Sequence, residues 1–118
     1  SDAFMGGIVV YSNESKLKIL GISKSILDQY GSVSEETALL MSKCVKNLFN
    51  SSIGLSVTGI AGPGGATEAK PVGLVYVGLS TGSDTVAKKF NFGKDRKRNK
   101  IKTSQMALEF LRKGLLSE

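Results

Sequence analysis

Residues 53–92 read IGLSVTGIAGPGGATEAKPVGLVYVGLSTGSDTVAKKFNF, and this stretch decides the fold. Ile53–Thr58 has the short, β-branched character of a strand and runs into the glycine-rich segment Gly59-Ile60-Ala61-Gly62-Pro63-Gly64-Gly65. Val72–Ser80 predicts another strand, which the turn Thr81-Gly82-Ser83-Asp84 joins to one at Thr85–Phe92. So tight a spacing makes these last two a hairpin, and therefore antiparallel.

Upstream, Gly6-Gly7-Ile8-Val9-Val10-Tyr11-Ser12 reads as a further strand, apolar enough to lie centrally with both faces covered. Short helices are predicted at Lys16–Leu20, stopping at Gly21, and at Lys24–Gln29, stopping at Gly31. Ser34 suits the N-cap of a longer helix, with Glu35 and Glu36 in the first turn where the helix dipole favours acids. Ala38, Met41, Val45 and Leu48 give that helix one apolar stripe, and Cys44 beside it reads as a small buried hydrophobe. Downstream, a last helix runs from about Asp95 toward Leu116, with Ile101, Leu108, Leu111 and Leu115 as its expected core face. The order strand, helices, strand, hairpin, helix predicts an α/β fold: a mixed sheet with helices on its faces.

The chain of 118 residues fits one domain spanning 1–118, since single cores typically hold about 100–150 residues. No apolar run approaches the roughly 18 residues of a membrane-spanning helix, and no basic-then-apolar leader is visible, so a cytoplasmic setting without membrane partners is expected. The sequence contains no His, which excludes Ser-His-Asp and Cys-His sites and His-based metal centres within it. One Cys excludes internal disulfides and multi-Cys zinc patterns. No resident metal or cofactor is expected, and catalysis must draw on Ser, Thr, Tyr, Lys, carboxylates, backbone amides or an imported cofactor.

Three segments could carry chemistry. Thr58–Gly73 is a glycine-rich loop whose amides could cradle an anion, with Lys70 adding charge; it matches neither a Walker A loop nor G-x-G-x-x-G. A purely structural turn is the competing reading. Tyr11-Ser12-Asn13-Glu14-Ser15-Lys16 ends the first expected strand. A partly desolvated lysine there could act as a base toward a hydroxyl, against the plainer reading of a solvated lysine at a helix start. The run Lys94-Asp95-Arg96-Lys97-Arg98-Asn99-Lys100 sets cations against the dipole of the last helix, which suits phosphate contact or simply a solvated charged face. No aromatic residue interleaves it, so a net charge of +6 favours a small phosphate-bearing ligand, or no specific meaning, over nucleic acid.

Taken together, several of these motifs resemble one family. They are Gly6–Asn13, Lys16, Leu20-Gly21, Gly31 with Val33-Ser34-Glu35-Glu36, Val57–Gly65, Lys70-Pro71-Val72-Gly73, and Asp95-Arg96 with Asn99. The family is the C-terminal domain of the competence/damage-inducible protein CinA, the nicotinamide-nucleotide amidases. The resemblance covers essentially the whole chain. It implies a three-layer α/β/α domain with a mixed sheet. It also implies hydrolysis of the carboxamide of nicotinamide mononucleotide to nicotinate mononucleotide and ammonia, in pyridine-nucleotide salvage, by Ser–Lys acyl transfer. Lys16 matches the general base and Tyr11 the accompanying tyrosine. Thr58, Gly59, Ala61, Gly62, Gly64, Gly65 and Lys70 would line the nucleotide pocket, with Arg96 as a phosphate contact.

The sequence departs from that pattern in two places. Family members carry a preceding helix and strand with an E-S-C-T-G-G motif whose serine is the nucleophile, whereas this sequence opens at Ser1-Asp2-Ala3-Phe4. An N-terminally shortened sheet is therefore expected, with an apolar face that a partner or self-association into a homo-oligomer would cover. Glu68-Ala69 stands where the family has Pro-Glu before Lys70-Pro71. The alternative to an amidase is thus a shortened, non-catalytic relative that binds a nucleotide or a protein partner; a basic nucleic-acid module is a weaker third reading.

Overall fold

A computed structural model of the protein describes residues 4–82 and 84–116. The elements follow in the order α1 (Asn13–Lys18), α2 (Lys24–Tyr30), α3 (Glu35–Leu48), β1 (Gly54–Gly59), β2 (Leu74–Ser80), β3 (Thr85–Asn91) and α4 (Arg96–Leu116). Two of the helices start as their capping residues require. The Ser12 hydroxyl accepts from the Ser15 N–H at 3.0 Å, and Ser34 Oγ accepts from the Thr37 N–H at 3.1 Å. Thr37 in turn donates to the Gly31 carbonyl at 2.6 Å, tying the α2–α3 connection to the first turn of α3. The turn expected at Thr81–Asp84 includes Ser83, which lies outside the described residues.

The sheet has the order β1-β2-β3, and both pairings are antiparallel. Opposed residues on neighbouring strands share a face, so the register sorts the side chains. Ser56 faces α3 beside Gly78, its partner in the register, and donates to the Ala38 carbonyl of α3 at 2.7 Å. A side chain at Gly78 would run into that same Ala38 backbone, so glycine permits the close approach of helix and sheet. The opposite face presents Val75 and Val77, which pack on Ala107 of α4 together with Leu55, Phe90 and Phe110. Helices on both faces make three layers. A second cluster, of Leu20, Ile22, Leu27 and Met41, fills the space among α1, α2 and α3.

Two expectations need correction. Residues 6–12 form no strand: Phe4–Tyr11 belongs to no helix or strand and has no ladder, so the sheet is wholly antiparallel rather than mixed among the described residues. The local pattern still shows, because Ile8 and Val10 pack against the Leu20–Met41 cluster while Val9 and Tyr11 face outward. Alternation supplies only half of a strand; hydrogen bonding to a neighbour is the other half.

The second correction concerns α4. Ile101, Leu108 and Leu115, expected in the core, are exposed, Leu108 to 64 %. The buried side is that of Asn99 and Ala107, with Phe110 packed against the sheet. Small residues set this rotation: a Cβ at Gly114 would collide with the Leu79 side chain, so the helix lies close to the sheet where it carries Ala107 and Gly114. No helix among the described residues is long and apolar enough to cross a membrane.

Candidate functional site

Val10 and Lys16 are joined across the reversal at Ser12. The chain leaves the extended segment at Tyr11, α1 begins at Asn13, and the first helical turn carries Lys16 back over Val10. Its Nζ donates to the Val10 carbonyl at 3.2 Å, and the residue is only 6 % exposed. Burial pushes the Lys16 amine below its ordinary value of 10.5, because a charged ammonium is poorly solvated there. No carboxylate bonds to it among the described residues, whereas Lys18 and Lys24 each pair with an acid four residues away. Lys16 is thus a buried amine set apart from the surface lysines.

This amine borders a cavity of about 500 Å³. One wall is the segment Ile8–Tyr11, the facing wall is β1 from Leu55 to Gly59, and Met41 and Val45 of α3 contribute the floor. Of the residues expected to form a site, Lys16, Tyr11, Thr58 and Gly59 line this one space. Tyr11 stands at its mouth, 95 % exposed.

The cavity also takes in Ser32 and Ser56, which the sequence reading passed over. Ser56 had a legible signal, since it lies two residues from Thr58 and so on the same face of the strand. Both of these strand hydroxyls are committed as donors to main-chain carbonyls, Ser56 to Ala38 and Thr58 to Ser32 at 2.6 Å. Neither proton is offered to Lys16.

The remaining expected residues sit away from that cavity. The glycine-rich segment is the connection between β1 and β2, pinched at its neck by the Ile60 N–H on the Leu74 carbonyl and the Gly73 N–H on the Ile60 carbonyl, at 2.9 and 2.7 Å. Gly62 adopts φ 84°, a left-handed conformation in which a side chain would be strained and would meet Val72. Ala61 and Gly62 precede the exposed tip at Gly64 and Gly65. Arg96 donates to the Gly62 carbonyl at 2.9 Å, and Lys70 Nζ donates to the Tyr30 carbonyl. The two cations therefore hold the loop against α4 and α2.

The basic start of α4 is less unfavourable than its composition suggested. Asp95 Oδ1 accepts from the N–H groups of Lys97 and Arg98, at 3.0 and 3.2 Å, so an acid occupies the positive end of the dipole. Asn99 is 2 % exposed and donates to the Gly93 carbonyl at 2.8 Å. Burial raises the Cys44 thiol, with the Lys43 charge acting in the opposite sense, which matches an inert, half-buried cysteine. No group of three or more Cys, Asp or Glu residues among the described ones could hold a metal ion.

Comparison with known proteins agrees with this architecture. A protein of Clostridium perfringens named for competence-damage induction is 50 % identical over 115 residues, covering 98 % of this chain and 28 % of its own length. A CinA-like protein of Kosmotoga olearia is 48 % identical over 116 residues, with the same two coverages of 98 % and 28 %. The chain therefore spans just over a quarter of these curated relatives. Among solved structures, the competence/damage inducible protein CihA of Agrobacterium tumefaciens superposes with a TM-score of 0.83 at 34 % identity, over 86 % of this chain and 63 % of that one. One from Enterobacter asburiae, described as competence or damage-inducible, gives a TM-score of 0.87 at 28 % identity, over 92 % and 69 % of the two chains. The family model described as the CinA C-terminal domain matches residues 1–115, and this chain belongs to that family.

Proposed function

We propose that this chain supplies the lysine and tyrosine of a Ser–Lys amidase site acting on the carboxamide of nicotinamide mononucleotide, in a cytoplasmic setting. The observation that carries the reading is the buried amine of Lys16, lowered in pKa and opening onto the same cavity as Tyr11, Thr58 and Gly59.

Burial lowers the pKa of this lysine, so it is more readily neutral than a solvated one, and a neutral amine can take a proton from a serine hydroxyl. In this reading the serine oxygen attacks the carboxamide carbon and Lys16 receives its proton. The collapse of the tetrahedral intermediate expels ammonia, with the proton returned to the leaving nitrogen. Water then hydrolyses the nicotinoyl ester. Tyr11 would orient the amide at the cavity mouth. The amides of Ala61, Gly62, Gly64 and Gly65, with Lys70 and Arg96, would receive the phosphate. Ser56 and Thr58 already donate to carbonyls, and the nucleophile in this reading is the serine of the family's E-S-C-T-G-G motif, which lies outside residues 1–118. The same two commitments favour a second reading, in which the domain binds a nucleotide without hydrolysing it.

Ammonia release from nicotinamide mononucleotide decides between them. The assay compares the chain alone with a fusion bearing a serine-containing segment ahead of Ser1. Turnover by the fusion that falls on the order of 10²–10⁴-fold in Lys16→Ala, the usual range for a general base, supports the amidase. Full activity in that variant overturns the base assignment. Nucleotide binding without turnover in either form supports the second reading.

A further inference from the structure

Charge is not spread evenly along the chain. Residues 88–102, KKFNFGKDRKRNKIK, hold eight of its 16 Lys and Arg and one of its 10 acids, so this segment carries +7 and all other residues together carry −1. Elsewhere the cations are answered: Lys18, Lys24 and Arg112 pair with carboxylates, and Lys70 bonds a carbonyl. Within 88–102, Arg96 bonds the Gly62 carbonyl, and no carboxylate pairs with any of the other seven cations among the described residues. The one acid, Asp95, is taken up by the N–H groups of Lys97 and Arg98.

The fold gathers these cations at one corner. Lys88 lies opposite Val77 and so on the α4 face of β3, while Lys89, opposite Tyr76, is on the α3 face; the sheet edge is charged on both sides. Asn99 of α4 donates to the Gly93 carbonyl just past β3, which turns that side of the helix toward this edge, and Lys102 follows it one turn on. Phe90 and Phe92 stack with ring centres 5.5 Å apart, stand half-buried, and pack on the same cluster as Phe110 of α4. The Lys88 amine lies 5.4 Å from the centre of the Phe90 ring. The aromatic residues that the run 94–100 lacks are thus supplied beside it.

Neither solubility nor edge protection accounts for this set. Solubility needs net charge but not its confinement to one corner. Two lysines suffice to keep β3 from pairing with other strands. The cations in the first two turns of α4 oppose the helix dipole and repel one another, which is unfavourable unless anions lie against them. One phosphate meets only a few of them, whereas a polyanion meets the set and releases its own counterions in doing so. We infer that this corner binds single-stranded nucleic acid through its phosphates, without sequence preference. A flexible strand can follow cations from both faces of the β3 edge to the first turns of α4, whereas a stiff duplex touches one side of such a corner. Phe90 and Phe92 give the bases apolar surface within the patch. No residue of 88–102 lines the Lys16 cavity, so the inference is independent of the amidase reading.

The test titrates the whole chain into a labelled oligothymidylate of about 20 nucleotides, long enough for one binding site, and reads its anisotropy. About five phosphate contacts predict an affinity that falls on the order of 100-fold between about 50 and 200 mM salt. Lys88→Ala with Arg98→Ala removes two of these contacts and should weaken binding and reduce that fall to on the order of 20-fold. Lys43→Ala with Lys46→Ala removes the same charge from α3, outside the corner, and should leave both quantities nearly unchanged. Equal losses from the two double variants would make net charge the whole attraction and overturn the site. So would an affinity indifferent to salt, or no binding at the lowest salt. A duplex of the same length held more tightly than the single strand overturns the flexible-strand assignment. Polyglutamate of matching charge held equally tightly would make an acidic protein the partner, and overturns it too. Ammonia release does not enter these readouts, so the inference and the amidase reading fail separately.

Discussion

The two faces of the sheet are joined to their helices by different means. On the α3 face the joint is close and polar: Ser56 and Thr58 each donate to a main-chain carbonyl, and Gly54 and Gly78 let helix backbone approach the strands. On the α4 face the joint is apolar, with Val75 and Val77 against Ala107, and it leaves Ile101, Leu108 and Leu115 of the same helix in solvent. Hydrogen bonds to fixed carbonyls permit one seating only, whereas an apolar contact specifies area more than position. The α3 face therefore sets the geometry of the cavity, and the α4 face retains surface for further contacts.

The sharpest way to break this contrast is Gly78→Ala. The added methyl meets the Ala38 carbonyl and the Ser56 hydroxyl, both fixed, so α3 must move away from the sheet. Overpacking against backbone is expected to cost about 3 kcal/mol or more, seen as a lowered urea midpoint. A loss below about 0.5 kcal/mol would show that the α3 joint has slack, contrary to the description above.

Ala107 and Leu108 test the opposite face as a pair. Ala107→Leu forces three carbons into the contact with Val75 and Val77 and should destabilise by about 1–3 kcal/mol. Leu108→Ala should change stability by less than about 0.5 kcal/mol, as surface substitutions do. The reverse ranking would mean that α4 is rotated, with its leucine stripe inward. Thr58→Val returns to the α3 face: it leaves the Ser32 carbonyl without its partner and should cost about 1–3 kcal/mol in thermal unfolding.

Much of the framework was legible because its signals are local. Ser34 and the acids after it marked the start of α3, and the turn chemistry near Asp84 placed β2 and β3 within two residues of their observed bounds. The errors lie where a partner decides the outcome. Residues 6–12 have the nearly continuous apolar, β-branched run of a central strand, but no strand pairs with them among the described residues, and a sequence does not display its neighbours. On α4, Ile101, Leu108, Leu111 and Leu115 were read as the core face, whereas Ile101, Leu108 and Leu115 are exposed and Leu111 is half-buried. The better signal was the pair of small residues Ala107 and Gly114, which allow the helix to lie close to the strands. The site was legible in the same proportion. Lys16 stood out by type and position with a solvated lysine as the plainer reading, and it and Thr58 took their site roles from the family resemblance, while the reach of Lys16 to Val10 depends on how the chain reverses at Ser12. Lys70 of the loop and Arg96 at the start of α4 were read as contacts to a ligand; their carbonyl partners, at Tyr30 and Gly62, lie 40 and 34 residues away and left no local signal.

The smallest expected effect concerns pH, and its sign follows from burial of Lys16 within the α1–α3 side. With the folded amine below 10.5, there is a window under that value in which the folded chain has released a proton that the unfolded chain still holds. Unfolding there takes up a proton, so stability contributed through this group rises as pH increases toward 10.5. Below the folded value both states carry the charge, and the desolvation cost of the ammonium is present in full. Lys16→Met removes the titration while keeping a side chain of similar length. Urea midpoints of the two proteins, followed from pH 7 upward, should therefore converge in favour of the unsubstituted chain as alkalinity increases, since every other lysine titrates in both. A difference that stays constant with pH would place the amine in water. The buried position of Lys16, and with it the chemical argument for a base in this cavity, would then be lost.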